Sequence, residues 1–194
     1  MSLASTTTPS ILWLRQDLRL HDQPALIAAA GEGAVVPVYI LDDETPGRWR
    51  TGAAQRWWLH HSLQRLAEAL DKIGSRLILR RGRCDVELQR LAADLGARRV
   101  HATRHYEPWW REAERRVGEA LESQLHPGNV LVSPEQVRTG SGTPYKIYTP
   151  YWRALQEQLP PSEPLGAPSE LPGPQAWPPS DDLASWDLLP TRPY

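Results

Sequence analysis

Arginine and aspartate alternate with leucine along Trp13-Leu14-Arg15-Gln16-Asp17-Leu18-Arg19-Leu20-His21-Asp22, directly after the apolar run Ile11 to Leu14. Two arginines and two aspartates cannot all enter a core. Such a run is either a salt-bridged turn between a strand and a helix, or part of a site, because open α/β sheets gather ligands at the carboxyl ends of their strands. Asp22 is placed to cap the helix that Pro24 opens. Two tryptophan pairs could supply a planar-ligand surface. Trp57-Trp58 follows the loop Gly47-Arg48-Trp49-Arg50-Thr51-Gly52, and Trp109-Trp110 follows Arg104-His105-Tyr106-Glu107-Pro108. Adjacent side chains on a helix diverge by about 100°, so only one ring of such a pair can lie fully in the core. The other lies at an edge, where it covers apolar surface or stacks on a flat ring.

Other chemistries lack their residues. No GxGxxG or GxxxxGK[ST] run follows a strand, so a nucleotide hydrolase is not expected, and Gly31-Glu32-Gly33 closes a helix rather than opening one. His60 and His61 have no Cys or carboxylate partners at ligand spacing, and Ser62 and Cys84 lack the setting of an activated nucleophile. A net charge of -1 gives no global basic field for nucleic acid. Cys84 is the single cysteine, so an intramolecular disulfide is impossible and a reduced, cytoplasmic setting is expected. No apolar run approaches the ~20 residues of a membrane span, and no membrane partner is expected. Nine tryptophans against no phenylalanine fit either a core or a chromophore pocket.

The elements that must position these residues follow from periodicity. Strand-like runs at Ile11 to Leu14, Val35 to Leu41, Arg76 to Leu79, Arg98 to Ala102 and Val130 to Val132 alternate with helical segments. That alternation implies an α/β fold with a five-stranded parallel sheet. Leu59, Leu63, Leu66, Leu70 and Ile73 mark one helix stopped by Gly74. Asp85 is placed to cap a second, with Leu88, Leu91 and Leu95 before Gly96. A third, from about Pro108 to Leu121, carries the stripe Trp110, Ala113, Val117 and Leu121, and its Arg and Glu positions read as a solvated face. Thr149 as cap and Pro150 at the first position predict a further short helix with Trp152, Leu155 and Leu159 on its apolar side. The last 35 residues hold 10 of the 19 prolines. They form no core of their own, and Trp177 and Trp186 read as anchors that wrap a surface outside this sequence. The expected division is a disordered leader over 1–10, an α/β domain over 11–135 and a connector over 136–194.

The opening run resembles the signature of the DNA photolyase and cryptochrome family, in which a strand is followed by Arg, any residue, Asp-Leu-Arg and then a helix-starting Asp. Further stretches resemble the amino-terminal half of that family in order and spacing. They are Val38-Tyr39-Ile40, Trp57 to Leu63, Gly74-Ser75-Arg76-Leu77, Tyr106-Glu107-Pro108, Gly142 to Trp152, and Trp186-Asp187-Leu188-Leu189-Pro190-Thr191. The double-Trp helix and the closing Trp-Asp-Leu-Leu-Pro are most similar to bacterial class III cyclobutane-dimer photolyases. The resemblance implies a doubly wound, Rossmann-like α/β domain, with helices on both faces of the sheet, that holds a light-harvesting antenna. It also implies a connector towards an FAD-binding helical domain that this sequence does not include, where UV-damaged DNA is repaired by blue-light-driven electron transfer from reduced FAD. A monomer is expected for the full-length protein, no catalytic or metal-binding residue is expected here, and this piece by itself is not expected to repair DNA. Photolyases of another subclass carry Asn-Glu where this chain has Trp109-Trp110, so their folate site is not expected. The resemblance favours 5,10-methenyltetrahydrofolate as antenna over a deazaflavin or flavin. Asp43, Glu44, Trp57 and Trp58 would hold the folate, whereas Arg15, Val38, His105 and Glu107 would hold a deazaflavin or flavin. A cryptochrome photoreceptor shares the same amino-terminal pattern. A free-standing α/β nucleotide-binding module is the remaining reading, and it requires the Pro-rich tail to fold back on its own domain.

Overall fold

The computed structural model describes residues 8–190; the proposed leader thus lies almost wholly outside the described residues. Five strands, β1 (Ser10–Leu14), β2 (Val35–Leu41), β3 (Ile78–Arg81), β4 (Arg99–Thr103) and β5 (Glu122–His126), form one sheet in the order β3-β2-β1-β4-β5. All four pairings are parallel, with Trp13 opposite Val38 on one side and Ala102 on the other. Helices α1 (Pro24–Glu32), α2 (Ala53–Lys72), α3 (Cys84–Leu95) and α4 (Pro108–Ala120) make the crossovers, and α5 (Tyr148–Gln156) follows.

The two-residue period of the strands sorts the core into two layers. Ile11, Trp13, Val36, Val38, Ile40 and Ile78 meet Cys84, Leu88 and Leu91 of α3 and Trp110, Ala113 and Val117 of α4. On the opposite face Leu12, Leu14, Leu41 and Leu79 meet Ala25, Leu26 and Ala29 of α1 and Leu59, Leu63, Leu66 and Leu70 of α2. The expected doubly wound α/β architecture is therefore present. Each buried leucine of α2 contributes roughly 1.5–3 kcal/mol of transfer free energy. Gly74 (φ +77°) and Gly96 (φ +65°) end α2 and α3 in left-handed conformations that a Cβ disfavours.

Several local expectations are corrected. The fifth strand is Glu122–His126 and not Val130 to Val132. Backbone pairing with β4 defines this edge strand, and an edge with one neighbour tolerates polar side chains, whereas Val130 and Leu131 sit in an exposed loop. Asp22 does not cap α1. It adopts φ +50°, and its backbone N–H donates to Leu165 O (2.7 Å) while its carboxylate accepts from Leu165 N (3.3 Å). Asp85 lies in the first turn of α3, whose first N–H instead donates to Asp42 Oδ2 at 2.9 Å. Helix α5 begins at Tyr148 rather than at Pro150. Pro150 falls within the first turn, where a missing N–H costs no intrahelical bond. None of its residues is buried: Trp152 is exposed, Leu155 is half-buried, and Leu159 lies beyond the end of the helix.

The Pro-rich tail finds its surface on this same domain. Leu171, Trp186 and Leu188 are buried in the α1/α2 layer, and Trp177 packs on the other. Val35 N donates to Pro172 O, Leu171 N to Ile73 O and Asp181 N to Leu79 O, at 2.8–2.9 Å. Leu79 N in turn donates to Ser180 Oγ at 2.9 Å, so the strap covers the free edge of β3. Among the described residues no helix is long and apolar enough to cross a membrane.

Candidate functional site

With β1 and β4 adjacent and the crossovers diverging from them, the strand order reverses at their carboxyl ends, where a doubly wound sheet leaves a crevice. The Arg15–Asp22 run leaves β1 at this point, and His105 to Pro108 leave β4. A charged network fills the floor. The Arg15 guanidinium is buried, donates through Nη2 to Thr103 O, pairs through Nη1 with Glu114 Oε1 at 2.8 Å, and lies 4.2 Å from the centre of the Trp13 ring. Burial lowers the Arg15 pKa, and Glu114 and Asp17 oppose that shift. Glu114 Oε1 also accepts from His105 N at 3.0 Å. Although α4 was expected to carry a solvated acidic and basic face, Glu114 is thus a core residue, because the chain supplies it with a buried cation.

Asp17 accepts from Arg15 N (2.9 Å) and from Gln23 Nε2 (2.8 Å), and Gln23 Oε1 accepts from Thr103 Oγ1 (2.8 Å). Burial opposes ionisation of Asp17. His105, Thr103, the Arg15 N–H and Gln23 more than offset it and hold the carboxyl well below the usual carboxylate range. The resembling signature therefore has a structural basis: its charges lock β1 to β4 and α4 beneath the crevice.

Above this floor opens a cavity of about 810 Å³, within the size range of small-molecule sites. Arg15, Tyr39, Trp49, Trp58, Trp109 and Trp110 line it, together with Arg48 and Arg50. Trp49 stacks on Trp109 with ring centres 6.2 Å apart and planes 19° from parallel. Trp49 is 61% exposed and Trp58 69%, which leaves large flat apolar faces turned to solvent at the mouth. Of each tryptophan pair, Trp110 is buried and Trp109 edges the cavity, as the helical divergence requires. In the Trp57-Trp58 pair, where at most one ring could enter the core, neither does: both are exposed, because Leu59 and Leu63 already occupy the buried side of α2.

The residues anticipated for two alternative ligands do not form two sites. Arg15 and Trp58 line the same cavity. Trp57 lies beyond Trp58, facing a neighbouring apolar hollow of about 530 Å³. Asp43 is ion-paired with Arg56, and Glu44 lines a separate notch with Thr45, Arg83 and Arg116. Val38 is fully buried against the α3/α4 layer. His105 is buried, 3.9 Å from Asp17 Oδ1 and 3.6 Å from Glu107 Oε2, and Glu107 immediately precedes α4. None of these last five lines the cavity. Trp109 lines the cavity, as expected of a planar-ligand surface, whereas Tyr39, Arg48 and Arg50 are wall residues that the sequence did not single out. The available signal was the Arg-Trp-Arg triplet between Gly47 and Gly52, just after a strand end.

The arrangement fits a planar, aromatic, anionic molecule: exposed indoles offer ring faces, guanidiniums offer counter-charge, and Asp17, the sole acid lining the cavity among the described residues, is already hydrogen-bonded. Comparison with known proteins agrees with the fold. The DNA photolyase family profile matches residues 10–172. A deoxyribodipyrimidine photo-lyase of Agrobacterium fabrum is 40% identical over 193 residues, 96% of this chain and 40% of that enzyme. Cryptochrome-2 of Arabidopsis thaliana is 33% identical over 150 residues, 74% of this chain and 24% of that protein. The crystal structure of a bacterial class III photolyase from Agrobacterium tumefaciens superposes with a TM-score of 0.85 at 39% identity, covering 100% of this chain and 41% of that one. This chain thus spans about two fifths of the photolyases it matches, and it belongs to the DNA photolyase family.

Proposed function

We propose that this chain is the light-harvesting portion of a deoxyribodipyrimidine photolyase that repairs UV-induced cyclobutane pyrimidine dimers, with 5,10-methenyltetrahydrofolate as antenna. FAD and the damaged DNA would be held by a helical domain beyond these residues. The observation that carries the reading is the indole-walled, cationic cavity at the carboxyl edge of the sheet, in a chain 40% identical to a deoxyribodipyrimidine photo-lyase. Trp58, Trp49 and Trp109 would stack on the antenna ring, Tyr39 would close one side, and the Arg15 network would keep the floor rigid. When bound, the antenna absorbs near-ultraviolet light and passes the excitation on. Cryptochrome-2 of Arabidopsis thaliana matches at lower identity and over less of this chain than the Agrobacterium fabrum photo-lyase does, which favours the repair enzyme over the photoreceptor. The tail does fold back as a free-standing module requires, yet it does so within a chain whose matched family signature extends to residue 172.

The test is reconstitution with 5,10-methenyltetrahydrofolate, followed by its near-ultraviolet absorption and fluorescence. Trp58→Ala should weaken binding by about tenfold, the loss of one stacked ring worth roughly 0.5–1.5 kcal/mol plus its buried area. His105→Ala should leave the affinity within about threefold, since His105 lies behind the wall. Equal loss in both variants, or tighter binding of a flavin or deazaflavin than of the folate, would refute the assignment.

A further inference from the structure

The charges on the cavity wall are unequal in what they have left to offer. Arg15 is buried, ion-paired with Glu114 and bonded to Thr103 O, so its charge is already matched within the fold. Arg19 donates from Nε to Asp22 O (3.0 Å) and from Nη2 to Gly128 O (2.8 Å). Asp17 is buried and hydrogen-bonded. Arg48 and Arg50 alone among the cavity's charged residues form neither an ion pair nor a side-chain hydrogen bond with any described residue, and both are exposed on the Gly47–Gly52 loop. That loop leaves β2 through one 3₁₀ turn at Gly47–Trp49, begun by Gly47 at φ +56°. Arg48 Cζ stands 5.0 Å from the centre of the Trp49 ring, and Trp49 is braced on Trp109. Trp49 thus has a neighbouring cation and a stacked backing.

A methenyltetrahydrofolate divides its charge between its ends: the bridged ring system carries a delocalised positive charge, and the glutamate tail carries carboxylates. A cationic ring is attracted to indole faces and repelled by guanidiniums, while carboxylates have the opposite preferences. The cavity has the same division, with indoles over its walls and two uncommitted arginines at its mouth. On the folate reading above, we propose that Arg48 and Arg50 hold the glutamate tail and so set both the orientation and the choice of ligand at this cavity. Neither residue bonds to the fold through its side chain, so their role is recognition rather than support.

An exposed ion pair is worth roughly 1.4- to 5-fold in affinity, and a bidentate guanidinium–carboxylate pair lies at the upper end. Titration of this chain with 5,10-methenyltetrahydrofolate, and with the carboxamide of 5,10-methenyltetrahydropteroate, an analogue with neither glutamate nor any carboxylate and here called the pteroate, separates the possibilities. The folate should bind roughly tenfold more tightly than the pteroate at low salt. Raising ionic strength to 1 M should erase most of that margin. Arg48→Ala and Arg50→Ala should each weaken the folate by about two- to fivefold and leave the pteroate unchanged, with partial recovery in Arg48→Lys and Arg50→Lys. Far-ultraviolet circular dichroism should be unaltered in all four variants. Equal affinity for folate and pteroate in the unsubstituted chain, or equal losses for both ligands in the alanine variants, would overturn the tail assignment and leave the antenna reading standing. Failure of both compounds to bind, with flavin mononucleotide binding in their place, would overturn the folate reading itself.

Discussion

Glu114 is the residue whose removal tests the account of the site floor most sharply. Its side chain is 4% exposed, it sits 2.8 Å from an Arg15 guanidinium that is 2% exposed, and it also accepts from His105 N. Glu114→Gln keeps the volume and an acceptor for His105 N and removes the charge. Arg15 stays protonated in any folded protein, so the variant contains a buried cation that has lost its ion-pair partner and that Asp17 compensates only in part. Loss of one partner of a buried pair costs about 3–5 kcal/mol. With a urea dependence of about 2–3 kcal/mol per molar for a chain of this size, the midpoint of unfolding should fall by roughly 1–2 M. The double variant Arg15→Met, Glu114→Leu removes both charges and should recover most of that loss, because matched apolar replacements of a buried pair are often neutral. A Glu114→Gln midpoint within 0.3 M of the unsubstituted chain, on the order of 1 kcal/mol, would mean that water reaches the pair. A double variant no better than the single would mean that packing, not the orphaned charge, carries the cost.

Two further outcomes follow from the scaffold. Asp42 accepts from Glu44 N, Thr45 N, Thr45 Oγ1 and Cys84 N; burial opposes its ionisation, and the bonds from Thr45 and Cys84 more than offset it, so its carboxyl titrates below the ordinary value. A carboxyl depressed in the folded state adds stability that is fully present above the unfolded value of about 3.9 and is lost as pH falls through the folded value. Asp42→Asn should therefore cost about 1–3 kcal/mol at pH 7, with the gap to the unsubstituted chain closing below pH 4, as read from denaturant midpoints across that range; a pH-independent gap would contradict the assignment. Trp186, 3% exposed against Tyr39 and bonded through Nε1 to Asp181 Oδ2 at 3.1 Å, anchors the strap, and Trp186→Ala should cost about 3–5 kcal/mol. Limited proteolysis should then cleave first between residues 172 and 190, and cleavage first elsewhere would count against a strap held by this ring.

The periodicity of Leu59, Leu63, Leu66 and Leu70, the alternating Ile11–Leu14 and Val35–Leu41 runs and the glycine stops at Gly74 and Gly96 are local patterns. They fix helices, strands and their buried faces because a side chain's direction depends only on its own backbone period. The family resemblance was legible for the same reason, since its motifs are contiguous. Strand β5 was not, because an edge strand is defined by the partner it pairs with and Glu122–His126 carries no apolar alternation. Asp22 and Asp85 both precede or open helices, and local chemistry nominates each as a cap. Contacts from Leu165 and Asp42, distant in sequence, gave those termini other partners. The tail's anchors were readable as anchors, but only the folded chain shows that the surface they cover is its own. The ligand set was the least legible. Asp43 and Glu44 have suitable chemistry and lie next to a strand end, yet Arg56 takes Asp43 and Glu44 turns to another notch. The sequence by itself thus determined the layers, the crossover helices and the family, all of which rest on neighbours along the chain. The tertiary structure alone decided which charges are spent within the fold and which remain free at the cavity mouth, because that depends on partners brought together from strands, helices and loops far apart in sequence.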